Sequence, residues 1–169
     1  MRVSTVLAVA SLASCAVVSH DATHKPVAAR VAGKCFQLAQ DAYVINSGGI
    51  GVHDGLFAPE GRCGAGGGGT IHALCLGMVK ASVPKGTRLT ITQVVDHAEG
   101  ENGRCWRIYA RLDSAIGVDH DVELPACPFG ALGKPWVTAW DPNYTSSIEF
   151  APKWLTPCEA PSNNRWRGP

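Results

Sequence analysis

The stretch Cys105-Trp106-Arg107-Ile108-Tyr109-Ala110-Arg111-Leu112 decides the fold. In an extended chain, Trp106, Ile108, Ala110 and Leu112 point one way, and Cys105, Arg107, Tyr109 and Arg111 point the other, because successive side chains of a strand alternate between faces. A period of two with the charges confined to one side predicts a half-buried antiparallel strand. Upstream, Arg88-Leu89-Thr90-Ile91-Thr92 alternates in the same way and runs into Val94-Val95. Asp96 to Gly103, which contains Gly100, Asn102 and Gly103, reads as the hairpin loop between the two.

Moving outward, Val83-Pro84-Lys85-Gly86-Thr87 is a turn, with Pro and Gly placed to bend the chain. Thr70 to Val79 is apolar and strand-length. Lys34 to Leu38, Ala42 to Ile45, Val122 to Leu124 and Trp136 to Trp140 are further short strands. Between them lies a glycine-rich loop, with Gly48, Gly49, Gly51, Gly55, Gly61, Gly64 and Gly66 to Gly69, which excludes regular helix. It does not cradle phosphate, because no Gly-Lys-Ser/Thr ends it. No amphipathic helix and no repeat is found. The fold class is therefore mainly β: a small antiparallel barrel or sandwich, stapled by disulfides.

Pro84-Lys85-Gly86-Thr87-Arg88-Leu89-Thr90-Ile91 followed by Cys105-Trp106-Arg107-Ile108 resembles bacterial SH3-like domains over residues 80–125. The resemblance implies a small barrel; the glycine insert and the Cys-rich tail depart from the family's usual pattern.

The N-terminus has its own signature. Arg2 precedes an uncharged apolar run that includes Val3, Val6, Leu7, Val9 and Leu12, the layout of a secretory signal. The run is shorter than the roughly 20 residues of a membrane span. It ends in Leu12-Ala13-Ser14-Cys15, which resembles the bacterial lipobox. The resemblance implies cleavage before Cys15 and lipidation of its thiol. Ala16 stands where the family's inner-membrane retention signal has Asp, which implies sorting to the outer membrane, facing the periplasm. The expected organisation is a signal peptide at 1–14, a lipidated flexible tether at 15–32, one β-rich domain at 33–160 and a frayed tail at 161–169. Such a tether would reach roughly 20–25 Å.

Six cysteines follow Cys15: Cys35, Cys63, Cys75, Cys105, Cys127 and Cys158. An even number in an exported chain reads as a disulfide framework. None forms a C-x-x-C pair, so a zinc knuckle has no template. Separation suggests Cys63 with Cys75, and Cys127 with Cys158.

Charge excludes one class of partner. The chain has 15 Lys and Arg against 14 Asp and Glu. Neither a nucleic-acid footprint nor a polybasic patch is present.

Histidines stand beside acids at His53-Asp54, Asp96-His97 and Asp119-His120-Asp121, and His72 lies in an apolar strand. Neighbours on a strand point to opposite faces, so these pairs do not make a metal site. No catalytic motif, metal site or cofactor motif is found. Trp136, Trp140, Tyr144 and Trp154 crowd a Pro-rich segment; they either cap the open side of a small core or form the candidate binding surface, since Trp is enriched at interfaces. These features together point to a membrane-anchored binding or structural module. Its partner would be another envelope protein or an imported one, as for an immunity protein. The alternative is a small cell-wall hydrolase in which His97, His120 and an unpaired Cys converge.

Overall fold

The computed structural model describes residues 18–46, 54–58, 78–98, 104–126, 136–137 and 147–158. Nine strands are named: β1 (Val18–Asp21), β2 (Cys35–Leu38), β3 (Ala42–Ile45), β4 (Gly55–Phe57), β5 (Val79–Val83), β6 (Arg88–Ala98), β7 (Cys105–Leu112), β8 (Val122–Leu124) and β9 (Leu155–Pro157). They form one mainly β sheet in the order β5-β3-β4-β8-β7-β6-β2-β9, with β1 also on β6. Among the described residues, the sheet is not closed into a barrel. Among the described residues, all strand pairings are antiparallel except β4 with β8, which is parallel at Gly55 and Glu123, a departure from the all-antiparallel expectation.

The β6-β7 hairpin is the spine. It pairs from Leu89 with Leu112 to His97 with Cys105. Trp106, Ile108, Ala110 and Leu112 are all buried, as the alternation requires, and Leu89 and Ile91 join them in one core. Strand β6 runs on to Ala98, so Asp96 and His97 are ladder residues rather than loop. A register shift between Ile91 and Gln93 leaves Thr92 as a bulge. Its hydroxyl bonds Tyr109 O at 3.2 Å and Asp121 Oδ2 at 2.7 Å, which holds β6, β7 and the approach to β8 together. In the turn before β6, Gly86 has φ +89° and Thr87 N–H bonds Pro84 O at 3.1 Å. A positive φ at the third turn residue favours Gly.

Residues 18–32 are not a tether. Strand β1 pairs antiparallel with β6, from Val18 with Ala98 to Asp21 with Val95. Ala22 N–H then bonds Val94 O at 2.8 Å, and Thr23 Oγ1 accepts from Val94 N–H at 3.0 Å. The chain leaves the edge through a 3-10 turn at Pro26–Ala28 and returns at Gly33, whose N–H bonds Ile91 O at 2.8 Å. Gly33 has φ +70°, a conformation that Gly adopts without strain. Strand β2 then continues along β6 from Thr90 to Arg88. One edge of β6 is thus covered by a single broken strand, and the excursion drops Ala28 and Val31 into the core. The segment is ordered because Ala22, Ala28 and Val31 bury apolar surface that a solvated tether would leave exposed.

Strand β9 lies on β2, with Phe36 opposite Pro157 and Leu38 opposite Leu155. Cys158 N–H bonds Cys35 O at 3.1 Å, and Leu155 N–H turns away to Ala151 O at 3.2 Å. That register places Cys35 and Cys158 5.4 Å apart at Cα, joined as a disulfide. The pairing corrects the expected Cys127–Cys158 bridge: β9 seats Cys158 on β2 whatever the distance along the chain. Cys105 is disulfide-bonded as well. Cys63, Cys75 and Cys127, and with them the expected Cys63–Cys75 bridge, lie outside the described residues, as does the glycine-rich run from Gly61 to Gly69.

Candidate functional site

Two places in the fold gather chemistry. The first is a buried carboxylate. Asp54 directly precedes β4, is 7 % exposed, and its carbonyl accepts from Glu123 N–H at 2.8 Å. Its Oδ2 takes Lys80 Nζ of β5 at 2.8 Å and His120 Nε2 at 2.7 Å. His120 Nδ1 lies 3.1 Å from Asp119 Oδ1. Burial pushes the Asp54 carboxyl upward, but the hydrogen bonds from Lys80 and His120 outweigh it and the net shift is downward. The hydrogen bonds to Asp119 and to Asp54 raise the His120 imidazole. The cluster ties β5 and β4 to the loop before β8.

The neighbouring face of β7 and β8 is similarly paired. Arg107 grips Glu123 through Nε at 2.9 Å and Nη2 at 2.6 Å, and its guanidinium stands 5.8 Å from the Tyr109 ring centre. Arg111 Nε meets Asp121 Oδ1 at 2.5 Å. At the other end of β6, Arg104 holds the buried Asp96 through two hydrogen bonds. These contacts satisfy charges and link strands. Among the described residues, no group of three or more potential metal ligands forms.

The second place is an apolar groove of about 650 Å³. Its floor includes Val31, Phe36, Ile148, Phe150 and Leu155, and the Cys35–Cys158 bridge lies in its wall. Phe36 and Phe150 meet edge to face at 5.0 Å, a favoured aromatic geometry. Ile148 N–H bonds Val27 O at 3.0 Å, which fixes that wall against the 3-10 excursion. The rim is charged: Arg30 pairs with Glu149 at 2.7 Å, and Lys34 is exposed beside them. A concave apolar floor with a few polar groups at its rim is the usual chemistry of a binding site.

The residues expected from sequence are dispersed. Trp136 and Trp154 are not a surface: they are 1 % and 2 % exposed and stack at 5.5 Å with an 11° interplanar angle. They close the core, and Lys153 Nζ sits 4.4 Å over the Trp154 ring. Trp140, Tyr144 and Cys15 lie outside the described residues. Ser19 Oγ and His97 Nδ1 are hydrogen-bonded at 2.8 Å. His97 pairs with Cys105 at one end of β7, whereas His120 precedes β8, whose Val122 faces Ala110 toward the other end. Asp54 and His120 meet across 66 residues, a contact that no sequence neighbour signals, and His120 keeps its neighbour Asp119 as well. Nothing in the local pattern marked the groove beyond the alternating Ile148 and Phe150.

The chain matches no family model, no curated protein and no solved structure.

Proposed function

We propose that this chain is an envelope lipoprotein, lipidated at Cys15 and sorted to the outer membrane facing the periplasm, whose β domain binds another envelope protein or an imported one. The observation that carries the binding half is the groove: a preformed apolar floor around Phe36, Phe150 and Leu155, with Arg30, Glu149 and Lys34 at its rim. The anchor half is supported by Leu12-Ala13-Ser14-Cys15 at the end of the apolar run. The binding reading gains over a Cys/His hydrolase because His97 and His120 stand toward opposite ends of β7, and Cys35, Cys105 and Cys158 are all bonded.

The groove chemistry suits a partner segment that presents one or two apolar side chains flanked by charge. The test is cross-linking in intact cells that express the full chain. A cross-linked adduct lost in Arg30→Glu/Lys34→Glu and kept in Lys85→Glu, whose site is exposed in the turn before β6, supports the groove. An adduct indifferent to all three changes removes the groove from the function. In parallel, Cys15→Ser should release the protein from the membrane fraction or stall its precursor. Lipid found on the Cys15→Ser protein would defeat the anchor assignment.

A further inference from the structure

The position of β1 constrains how the domain meets a membrane. Strand β1 begins at Val18, three residues after Cys15. A fully extended chain spans at most about 3.3–3.6 Å per residue, so these three residues reach about 10 Å. Val18 is locked to Ala98 and Ser19 to His97 in the β1-β6 ladder. His97 in turn faces Cys105 of β7, next to Arg104. The start of β1, the end of β6 and the start of β7 therefore form one rim of the sheet, and Val18 on this rim is the first described residue after Cys15 along the chain.

We propose that this rim, with Ser19, His97 and Arg104, rests against the lipid headgroups, so that the domain is clamped to the bilayer surface in one orientation. The proposal rests on the lipoprotein reading and adds to it what the lipid anchor does to the domain. The chemistry of the rim supports surface contact over insertion. Ser19, His20 and Arg104 are polar and exposed, and the Ser19–His97 hydrogen bond faces outward. None of these three can enter hydrocarbon without a large desolvation cost. The orientation that follows keeps the groove accessible. Its Cys35 and Phe36 pair with Thr90 and Leu89 of β6, about eight residues from Ala98. At roughly 3.3 Å per residue, the groove wall stands about 25 Å along the strand from the rim.

The experiment uses the lipidated full chain, isotope-labelled and reconstituted into vesicles of phosphatidylethanolamine and phosphatidylglycerol that carry a small fraction of gadolinium-chelating headgroups. Backbone amides of Ser19, His97 and Arg104 should relax about five-fold faster, or more, than those of Gln37 and Thr156, because paramagnetic relaxation falls steeply with distance. A Gly/Ser spacer of about twelve residues inserted after Ala16, reaching roughly 20 Å, should abolish that contrast without changing the amide spectrum of the core. Equal enhancement at the rim and at the groove, in protein whose Cys15 carries lipid by mass spectrometry, overturns the clamp and leaves the anchor standing. Cys15 found without lipid overturns both.

Discussion

Replacing both Cys35 and Cys158 by Ala removes the bridge across 123 residues. In the chain-entropy description, a closed loop of that size constrains the unfolded ensemble by about 5 kcal/mol at 25 °C. Bridges typically contribute less than this chain-entropy value, so the net loss should be about 3–4 kcal/mol. Native contacts change little. Leu155 and Trp154 stay buried by the core, and the Cys158 N–H to Cys35 O bond needs no sulfur. Since a whole domain is stable by about 5–15 kcal/mol, the variant should still fold. Urea unfolding followed by Trp fluorescence reads this directly. With a slope of about 1.5–2 kcal/mol/M, the midpoint should drop by about 2 M, and the slope should rise as the released unfolded chain exposes more surface. A midpoint within about 0.3 M of the parent would refute the reasoning. It would mean that β9 and β2 stay together in the unfolded chain, or that the bridge strains the native state by as much as it restrains the other.

Three further outcomes are expected. Trp106→Ala should cost about 3–5 kcal/mol in the same unfolding assay, because the ring is buried on the inner stripe of β7; a loss below about 1 kcal/mol would place the core elsewhere. The Asp54 cluster should make stability pH-dependent. The raised His120 contributes fully below the ordinary histidine value of about 6.5 and loses its contribution as pH rises through its higher folded value. The lowered Asp54 contributes above the ordinary carboxyl value of about 3.9 and loses its contribution as pH falls through its lower folded value. Stability from this cluster should therefore peak between about pH 4 and 6.5, and His120→Gln should flatten the alkaline side of the urea-midpoint profile; an unchanged profile would show that the imidazole is not coupled to folding. Gly55→Val should destabilise by about 1–3 kcal/mol, because a Cβ on the buried Gly55 would run into the Phe57 ring. Restoration by Gly55→Val/Phe57→Ala, monitored by thermal unfolding, would identify that clash as the cause, and no restoration would point to the backbone.

How much of this was legible beforehand depended on whether the information was local. Strands β6, β7 and β8 were written in period-two patterns, and β2 and β3 in short apolar alternations, because each buries one face whatever lies beside it. Val18–Asp21, Gly55–Phe57 and Leu155–Pro157 carry no such pattern. They are four, three and three residues long, and each is extended because a partner strand captures it, which no local window records. The disulfide was misread for a related reason. Choosing the nearer Cys127 over Cys35 as the mate of Cys158 gains only about 1 kcal/mol of loop closure, and a ladder register that seats two residues side by side outweighs that. Asp54 and His120 were each conspicuous beside an ionisable neighbour, yet the contact that ties their strands together is with one another, across 66 residues. The tryptophans were legible as special but not as to side: Trp136 and Trp154 stack with each other inside, a fate that composition alone does not distinguish from exposure.

The seating of β9 has a consequence for aggregation and for the mode of recognition. It is a terminal strand of the sheet among the described residues, and an uncapped terminal strand invites a foreign one to add to it. Here Thr156 faces Gln37, Leu155 has spent its N–H on Ala151, and Pro157 has none to offer. The outer margin of β9 therefore displays carbonyls without donors, and a strand laid along it would find half of its ladder missing. The chain can sit at high density on a surface without its copies zipping together along this margin. If the groove next to it takes a partner as proposed, recognition there would rest on side chains meeting Phe36 and Phe150 rather than on strand pairing along β9.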